Sequence, residues 1–429
     1  MTRIDTVVIG GGQAGLAMSR CLSDFGIDHI VLERGRVAER WRSERWDSLR
    51  LLTPNWQTRL PGFRYDGPEP DGFMSMPELI RFFERYAATA RVPVQTETTV
   101  TSVAGRGRRF EVHTDRGTWC ADNVVIATGY NDLPRVPRMA ASLAPSVRQV
   151  VPTAYRRPED LPEGDVLVVG ASATGIQLAE EIHASGRPVT LAVGRHLRLP
   201  RTYRGRDILW WLDAMGIFAE SVDTFFDIEV SKRQPSLQLV GRSDVPSIDI
   251  AYLHRQGVRL TGRVVGAEDH RVWCDDEIIA SAAASDVKLA QLLARIDAFA
   301  RRADLDGQID EPAPFEPTWP AAWRVPSRTV LSGVKTVVWA TGFRRAYPWL
   351  RVPVFGPDGE IRHRGGVTPH PGLYVLGMHL QRRRNSGFID GVGEDAAMLA
   401  ERIVCRGGLE RAAAARAREE GTWSATSLT

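Results

Sequence analysis

Ile4-Asp5-Thr6-Val7-Val8-Ile9-Gly10-Gly11-Gly12-Gln13-Ala14-Gly15-Leu16-Ala17-Met18-Ser19-Arg20-Cys21-Leu22 is a β-branched run that breaks into glycines and resumes with helical apolar spacing. That is the strand, turn and helix context in which G-x-G-x-x-G carries meaning. Gly10 permits the tight turn, Gly12 lets backbone approach a pyrophosphate, and Gly15 lets helix pack on strand. Gln13 and Ala14 open the helix, whose unpaired N–H groups and positive dipole end face the phosphates. A second strand, His29-Ile30-Val31-Leu32, ends in Glu33, eighteen positions after Gly15. A carboxylate there accepts hydrogen bonds from a ribose diol and repels a 2′-phosphate, so the loop is read as a seat for an unphosphorylated adenosine.

Working outward, the same pattern returns at Asp165-Val166-Leu167-Val168-Val169-Gly170-Ala171-Ser172-Ala173-Thr174-Gly175, followed by the helical run Ile176–Ile182. Ser172 takes the middle glycine's place; its hydroxyl can itself donate to phosphate. The next strand, Pro188–Val193, leads through Gly194 to Arg195 and His196. Here a cation stands where the first loop has its carboxylate, the exchange expected for a 2′-phosphate. An Arg–phosphate contact contributes about 1.5–3 kcal/mol, roughly a ten- to hundredfold preference for NADPH over NADH. Of the neighbouring basic residues, Arg201 and Arg204 are further candidates, whereas Arg198 and Arg206 read as a solvated face.

Two further strings echo each other. Val124-Val125-Ile126-Ala127-Thr128-Gly129-Tyr130 and Val337-Val338-Trp339-Ala340-Thr341-Gly342-Phe343 are apolar strands ending in Ala-Thr-Gly-aromatic, and each follows its own glycine loop. They read as the closing elements of two nucleotide domains, with Ala127, Thr128, Gly129, Thr341 and Gly342 crossing near the dinucleotides.

Composition narrows the class. The chain has 429 residues, 43% apolar and 25% charged, an ordinary globular balance. Lys plus Arg is 55 against 52 for Asp plus Glu; the resulting +3 does not suggest a nucleic-acid partner. No apolar run approaches the roughly 18 residues that span a bilayer, and Met1-Thr2-Arg3 lacks a signal-peptide layout. A cytoplasmic protein without a membrane partner is therefore expected. Cys21, Cys120, Cys274 and Cys405 lie far apart with no C-x-x-C, so neither a dithiol redox centre nor a cysteine metal site is expected. The nine histidines show no ligand spacing either.

This combination resembles the class B flavin-dependent monooxygenases: flavin-containing monooxygenases, N-hydroxylases and Baeyer–Villiger enzymes. The likeness rests on both glycine loops, both Ala-Thr-Gly strings, the stretch Trp41–Pro54, and the tail Gly372-Leu373-Tyr374-Val375-Leu376-Gly377 followed by Gly387–Ala396. It implies FAD at the first loop and NADPH at the second. In such flavoproteins the last helix aims its N-terminus at the flavin pyrimidine, which here nominates Gly377, Asp390, Gly391 and Val392. Trp41 and Val100 are implied flavin contacts, and Thr53, Asn55 and Gln57 the implied catalytic contacts to ring edge and bound oxygen. The implied reaction uses O2 and a small organic substrate. A flavin C4a-(hydro)peroxide delivers one oxygen to a nitrogen, sulfur or carbonyl centre. The family's F-x-G-x-x-x-H fingerprint is missing, since Val147–Tyr155 keeps only a later aromatic. The rival readings are an NADPH oxidase or reductase without oxygen insertion, and a slow redox-sensing flavoprotein.

The expected fold is α/β, with two Rossmann-like domains, the NADPH domain inserted in the FAD domain. Residues 1–160 and 330–415 form the FAD part, 161–329 the NADPH part, and 416–429 a polar tail. Asp286–Phe299 shows helical apolar spacing, Pro312–Pro326 reads as a linker or ordered loop, and Arg411–Arg418 as a helix. Asp207–Leu212 is read chiefly as packing on the domain core, with a substrate entrance as the alternative. A homodimer stays open.

Overall fold

The computed structural model describes residues 1–244, 247–319 and 329–408. The expected helix at Arg411–Arg418, the tail, and the second half of the proline-rich stretch lie outside them.

The opening run is a strand, β1 (Thr2–Ile9), whose Val7 and Val8 are fully buried. Its partners are β2 (His29–Leu32), β3 (Val94–Gln95), β4 (Val100–Arg106), β5 (Arg109–Thr114) and β6 (Gly117–Ile126), in the order β3-β2-β1-β6-β5-β4. β1 runs parallel to both β2 and β6. A crossover helix, α1 (Gln13–Asp24), is buried on nearly all sides: Met18 and Leu22, four positions apart, share one face, and Leu16 is buried on another.

A second sheet is parallel throughout. It contains β7 (Arg148–Val150), β8 (Val166–Val169), β9 (Val189–Ala192), β10 (Arg259–Thr261) and β11 (Thr336–Trp339), in the order β7-β11-β8-β9-β10. All four residues of β8, β9 and β11 are buried, the uninterrupted apolar pattern of strands covered on both faces. The chain then returns to the first sheet as β12 (Leu373–Val375), parallel to β6, and continues as a helix over 392–408.

The second sheet reaches past the boundaries expected from sequence. β11 follows residue 329, because the second Ala-Thr-Gly strand pairs within the sheet whose glycine loop it closes, and β7, before residue 161, pairs with the other edge of β11. The two crossings lie side by side: Leu133–Pro134, outbound, pairs antiparallel with Phe343–Arg344, inbound.

The expected helix at Asp286–Phe299 is the centre of a 25-residue helix, Ile278–Arg302. With a short helix, Ile208–Ala214, it encloses a separate apolar core around the fully buried Trp211.

Candidate active site

The two glycine loops repeat one construction. Gly10 has φ +113°, and a methyl group added there would sit 2.6 Å from the carbonyl oxygen of Ala127. One added at Gly15 would sit 1.8 Å from the Gly10 oxygen. Gly12 meets nothing within 4 Å on that side, leaving its backbone open to a ligand. At the second loop Gly170 has φ +106°, with the Ala340 oxygen 2.4 Å from an added methyl, and a methyl at Gly175 would sit 1.7 Å from the Gly170 oxygen. Each Ala-Thr-Gly string therefore crosses directly over its own glycine turn. The fit is to a diphosphate: backbone amides at a helix N-terminus, with no side chain in the way.

The charged residues after the second strands differ as the sequence indicates. Glu33 is buried and accepts the Gly11 amide at 2.6 Å and the Gly35 amide at 2.9 Å, which holds the carboxylate at the edge of the first loop. Arg195 is exposed and makes no hydrogen bond or ion pair among the described residues. Its neighbours are all engaged. Arg201 is 2% exposed; it donates to the Leu52 carbonyl at 2.8 Å, the Val240 carbonyl at 3.2 Å and Asp207 at 2.6 Å. Its guanidinium stitches the glycine-loop domain to residue 52, and that replaces the cofactor contact expected of it. Arg204 is held by Asp297, Asp306 and the Asp310 carbonyl. Arg198, expected on a solvated face, is half-buried and bonds Asp286 at 2.6 Å. Arg206 lies over the Trp210 ring.

Both loops open into one cleft of about 1850 Å³ between the sheets. Gly10, Gly12, Gln13, Ala14, Glu33, Trp41, Thr53, Val100, Ala127, Thr128, Gly129 and Gly377 line its first half. Gly170, Ser172, Ala173, Thr174, Arg195, Thr341 and Gly342 line the second. Gly15 and Gly175 stand behind the wall as packing contacts.

Other expected residues also stand behind it. Asn55 and Gln57 are 4% and 1% exposed, because Pro54 leads into a 3₁₀ turn, Asn55–Gln57, that folds their side chains inward. Asn55 donates to the Glu69 carbonyl at 2.8 Å, while its oxygen and both amide atoms of Gln57 are buried without partners. Asp390 pairs with Arg59 at 2.5 Å, Gly391 packs on Asn385, and Val392 is fully buried. It is Gly387, Phe388 and Ile389, just before the 392–408 helix, that reach the cleft.

Three wall residues escape a reading of the sequence for site residues. Arg45 sits with its guanidinium 5.1 Å from the Trp41 ring centroid, and Trp41 donates to Gln13 at 3.3 Å. Tyr130 packs on Gly387, and burial raises its phenol pKa above the usual value. His379 stands 5.8 Å from Tyr130, and burial lowers its imidazole pKa, keeping it neutral. Tyr130 is legible as the aromatic after Ala-Thr-Gly; His379 carries no local signal at all.

All four cysteines are free; Cys21 and Cys274 are buried, and burial pushes the Cys21 thiol up to about 12. Among the described residues no helix is long and apolar enough to cross a membrane.

Comparison with known proteins agrees with this geometry. Residues 7–208 match the family model described as pyridine nucleotide-disulphide oxidoreductase. An uncharacterized CzcO-like oxidoreductase of Geobacillus kaustophilus is 31% identical over 405 residues, 94% of this chain and 98% of that protein. Among solved structures, the flavin-containing monooxygenase of Stenotrophomonas maltophilia superposes with TM-score 0.65 at 18% identity, covering 95% of this chain and 99% of that one. An ornithine N-hydroxylase of Kutzneria superposes with TM-score 0.62 at 14% identity, covering 94% and 100%. The chain belongs to the CzcO-like oxidoreductases and has the two-dinucleotide-domain fold of the flavin monooxygenases.

Proposed function

We propose that this protein is an FAD- and NADPH-dependent monooxygenase acting on a small organic substrate. The observation that carries the reading is the shared cleft. Two diphosphate cradles of the same build open into it, one edged by the Glu33 carboxylate and the other by the Arg195 guanidinium, which has no partner among the described residues. The residues fit FAD in the first and NADPH in the second.

FAD, when bound, supplies acceptance of a hydride from NADPH and activation of O2. The protein's own part is position and electrostatics. Amides at the start of α1 and of the second crossover helix, Ala173–Ala184, hold the diphosphates. Glu33 accepts from a ribose hydroxyl and Arg195 takes the 2′-phosphate. Trp41 and the Gly387–Ile389 turn flank the space between the two cradles, with Thr53 on the same wall. Tyr130 keeps its Oη proton at neutral pH and serves as a donor, and neutral His379 adds an acceptor beside it. Apolar Leu52, Phe388 and Ile389 keep bulk water away from this space.

Rapid mixing of the purified holoprotein tests the proposal. NADPH is expected to bleach the bound flavin faster than NADH, and heavy-isotope O2 to label an amine, sulfide or ketone product. Hydrogen peroxide released one-for-one with NADPH consumed, for every such compound, would overturn it in favour of an oxidase. A colourless protein that takes up no FAD would overturn it outright.

A further inference from the structure

A third arm of the cleft carries no glycine loop and no nucleotide signal. Its walls are Leu209 and Leu212 of the short helix, Phe218, Leu289 and Leu292 of the Ile278–Arg302 helix, and Phe388. The residues expected to pack on the domain core thus split: Ile208 and Trp211 face inward, while Leu209 and Leu212 line the cleft. Direct contacts tie this arm to the region between the cradles. Phe388 packs on Phe218 at 5.8 Å, and its neighbour Gly387 touches Tyr130 and accepts from Gln13 at 3.4 Å.

The mouth of the arm is basic. Lys288, Leu292 and Arg295 are spaced by four and three positions and share one face of their helix. Arg384 joins them from the other side, beside Phe218, because the Asn385 amide donates to the Phe218 carbonyl at 3.1 Å. Glu220 pairs with both arginines, bonding Arg384 at 2.8 Å and lying 3.7 Å from Arg295, and Asp227 lines the rim beside Glu220 and Arg384. Lys288 is exposed and makes no ion pair among the described residues. The local charge is therefore net positive beside an apolar stretch of the cleft wall, an arrangement complementary to an anion with an apolar body.

We propose that this arm is the substrate pocket and that its ligand is an apolar organic acid, the body among Leu209, Phe218, Leu292 and Phe388 and the carboxylate at Lys288 and Arg295. The inference rests on the monooxygenase reading for the fate of the bound acid, not for the binding itself.

Calorimetric titration of the holoenzyme with octanoate and phenylbutyrate, each against its primary amide, tests it. The acids are expected to bind saturably and about fivefold or more tighter than the amides, and more weakly as salt rises. Lys288→Glu, an exposed position, is expected to erase the preference for the acid while sparing the amide. Leu292→Trp, which fills the arm, is expected to weaken both. Amides binding as tightly as acids, no saturable binding of either, or indifference to both substitutions would overturn the proposal. The two readings fail separately. Saturable acid binding while every amine, sulfide and ketone yields only hydrogen peroxide leaves this pocket standing and removes the monooxygenase, and oxygenation of a neutral amine with no acid binding does the reverse.

Discussion

On the proposed reading, single side chains set which dinucleotide each loop prefers. Five arginines occur between Arg195 and Arg206, and only their partners distinguish them. Arg198, Arg201 and Arg204 are committed to carboxylates and carbonyls, whereas Arg195 faces the cleft with no partner among the described residues. Arg195→Ala is expected to weaken NADPH about ten- to hundredfold and to leave NADH nearly unchanged; titration with each nucleotide checks it, and equal losses would refute a 2′-phosphate role. The glycines make a second, steric claim. Gly15→Ala places a methyl 1.8 Å from the Gly10 carbonyl oxygen, which forces the helix off the strand. A loss of about 1–3 kcal/mol by urea titration is expected, together with loss of flavin from the purified protein; retained flavin at full occupancy would show that the turn tolerates the shift.

At the scale of elements, the helix Ala173–Ala184 does more than present its N-terminus. Glu181, on its far turn, is half-buried with one oxygen enclosed and unpartnered, and burial pushes its carboxyl up to about 7 against a weaker pull from the Ser48 hydroxyl. Ser48 belongs to the Trp41–Pro54 stretch, so the contact joins the second crossover helix to the first domain. A carboxyl whose folded pKa is raised takes up a proton on folding. Its contribution is fully present below the ordinary carboxyl value, near 4.5, and is lost as pH rises through about 7. Glu181→Gln should therefore match the parent at pH 4.5 and exceed it by on the order of 1–2 kcal/mol at pH 8. Denaturant titrations at the two pH values check this, and a difference independent of pH would assign Glu181 a purely steric part.

For the whole molecule, the cleft is the consequence of two crossings laid side by side. Leu133–Pro134 and Phe343–Arg344 pair, and Arg156, on the second side, donates to the carbonyls of Ser43 and Arg45 on the first. A ligand seated in this cleft touches elements of both sheets, so its binding energy adds to the stability of the whole fold. Removing FAD is expected to lower Tm, and restoring it at about a hundred times Kd to return about 2.7 kcal/mol. Scanning calorimetry of stripped and reloaded protein checks this; a Tm indifferent to FAD would argue against a flavin seated between the sheets.

The strand–glycine–helix pattern, its repetition and the opposite charges after the two second strands are legible in the chain, because they depend on local backbone geometry and on spacing within some thirty residues. The fate of each arginine, the inward turn of Asn55 and Gln57, and the meeting of Arg45, Tyr130 and His379 are not. Those outcomes depend on which segments meet, from 14 positions apart for Asn55 and Glu69 to 374 for Gln13 and Gly387, and no local period records which partner a side chain will find once two sheets close on each other.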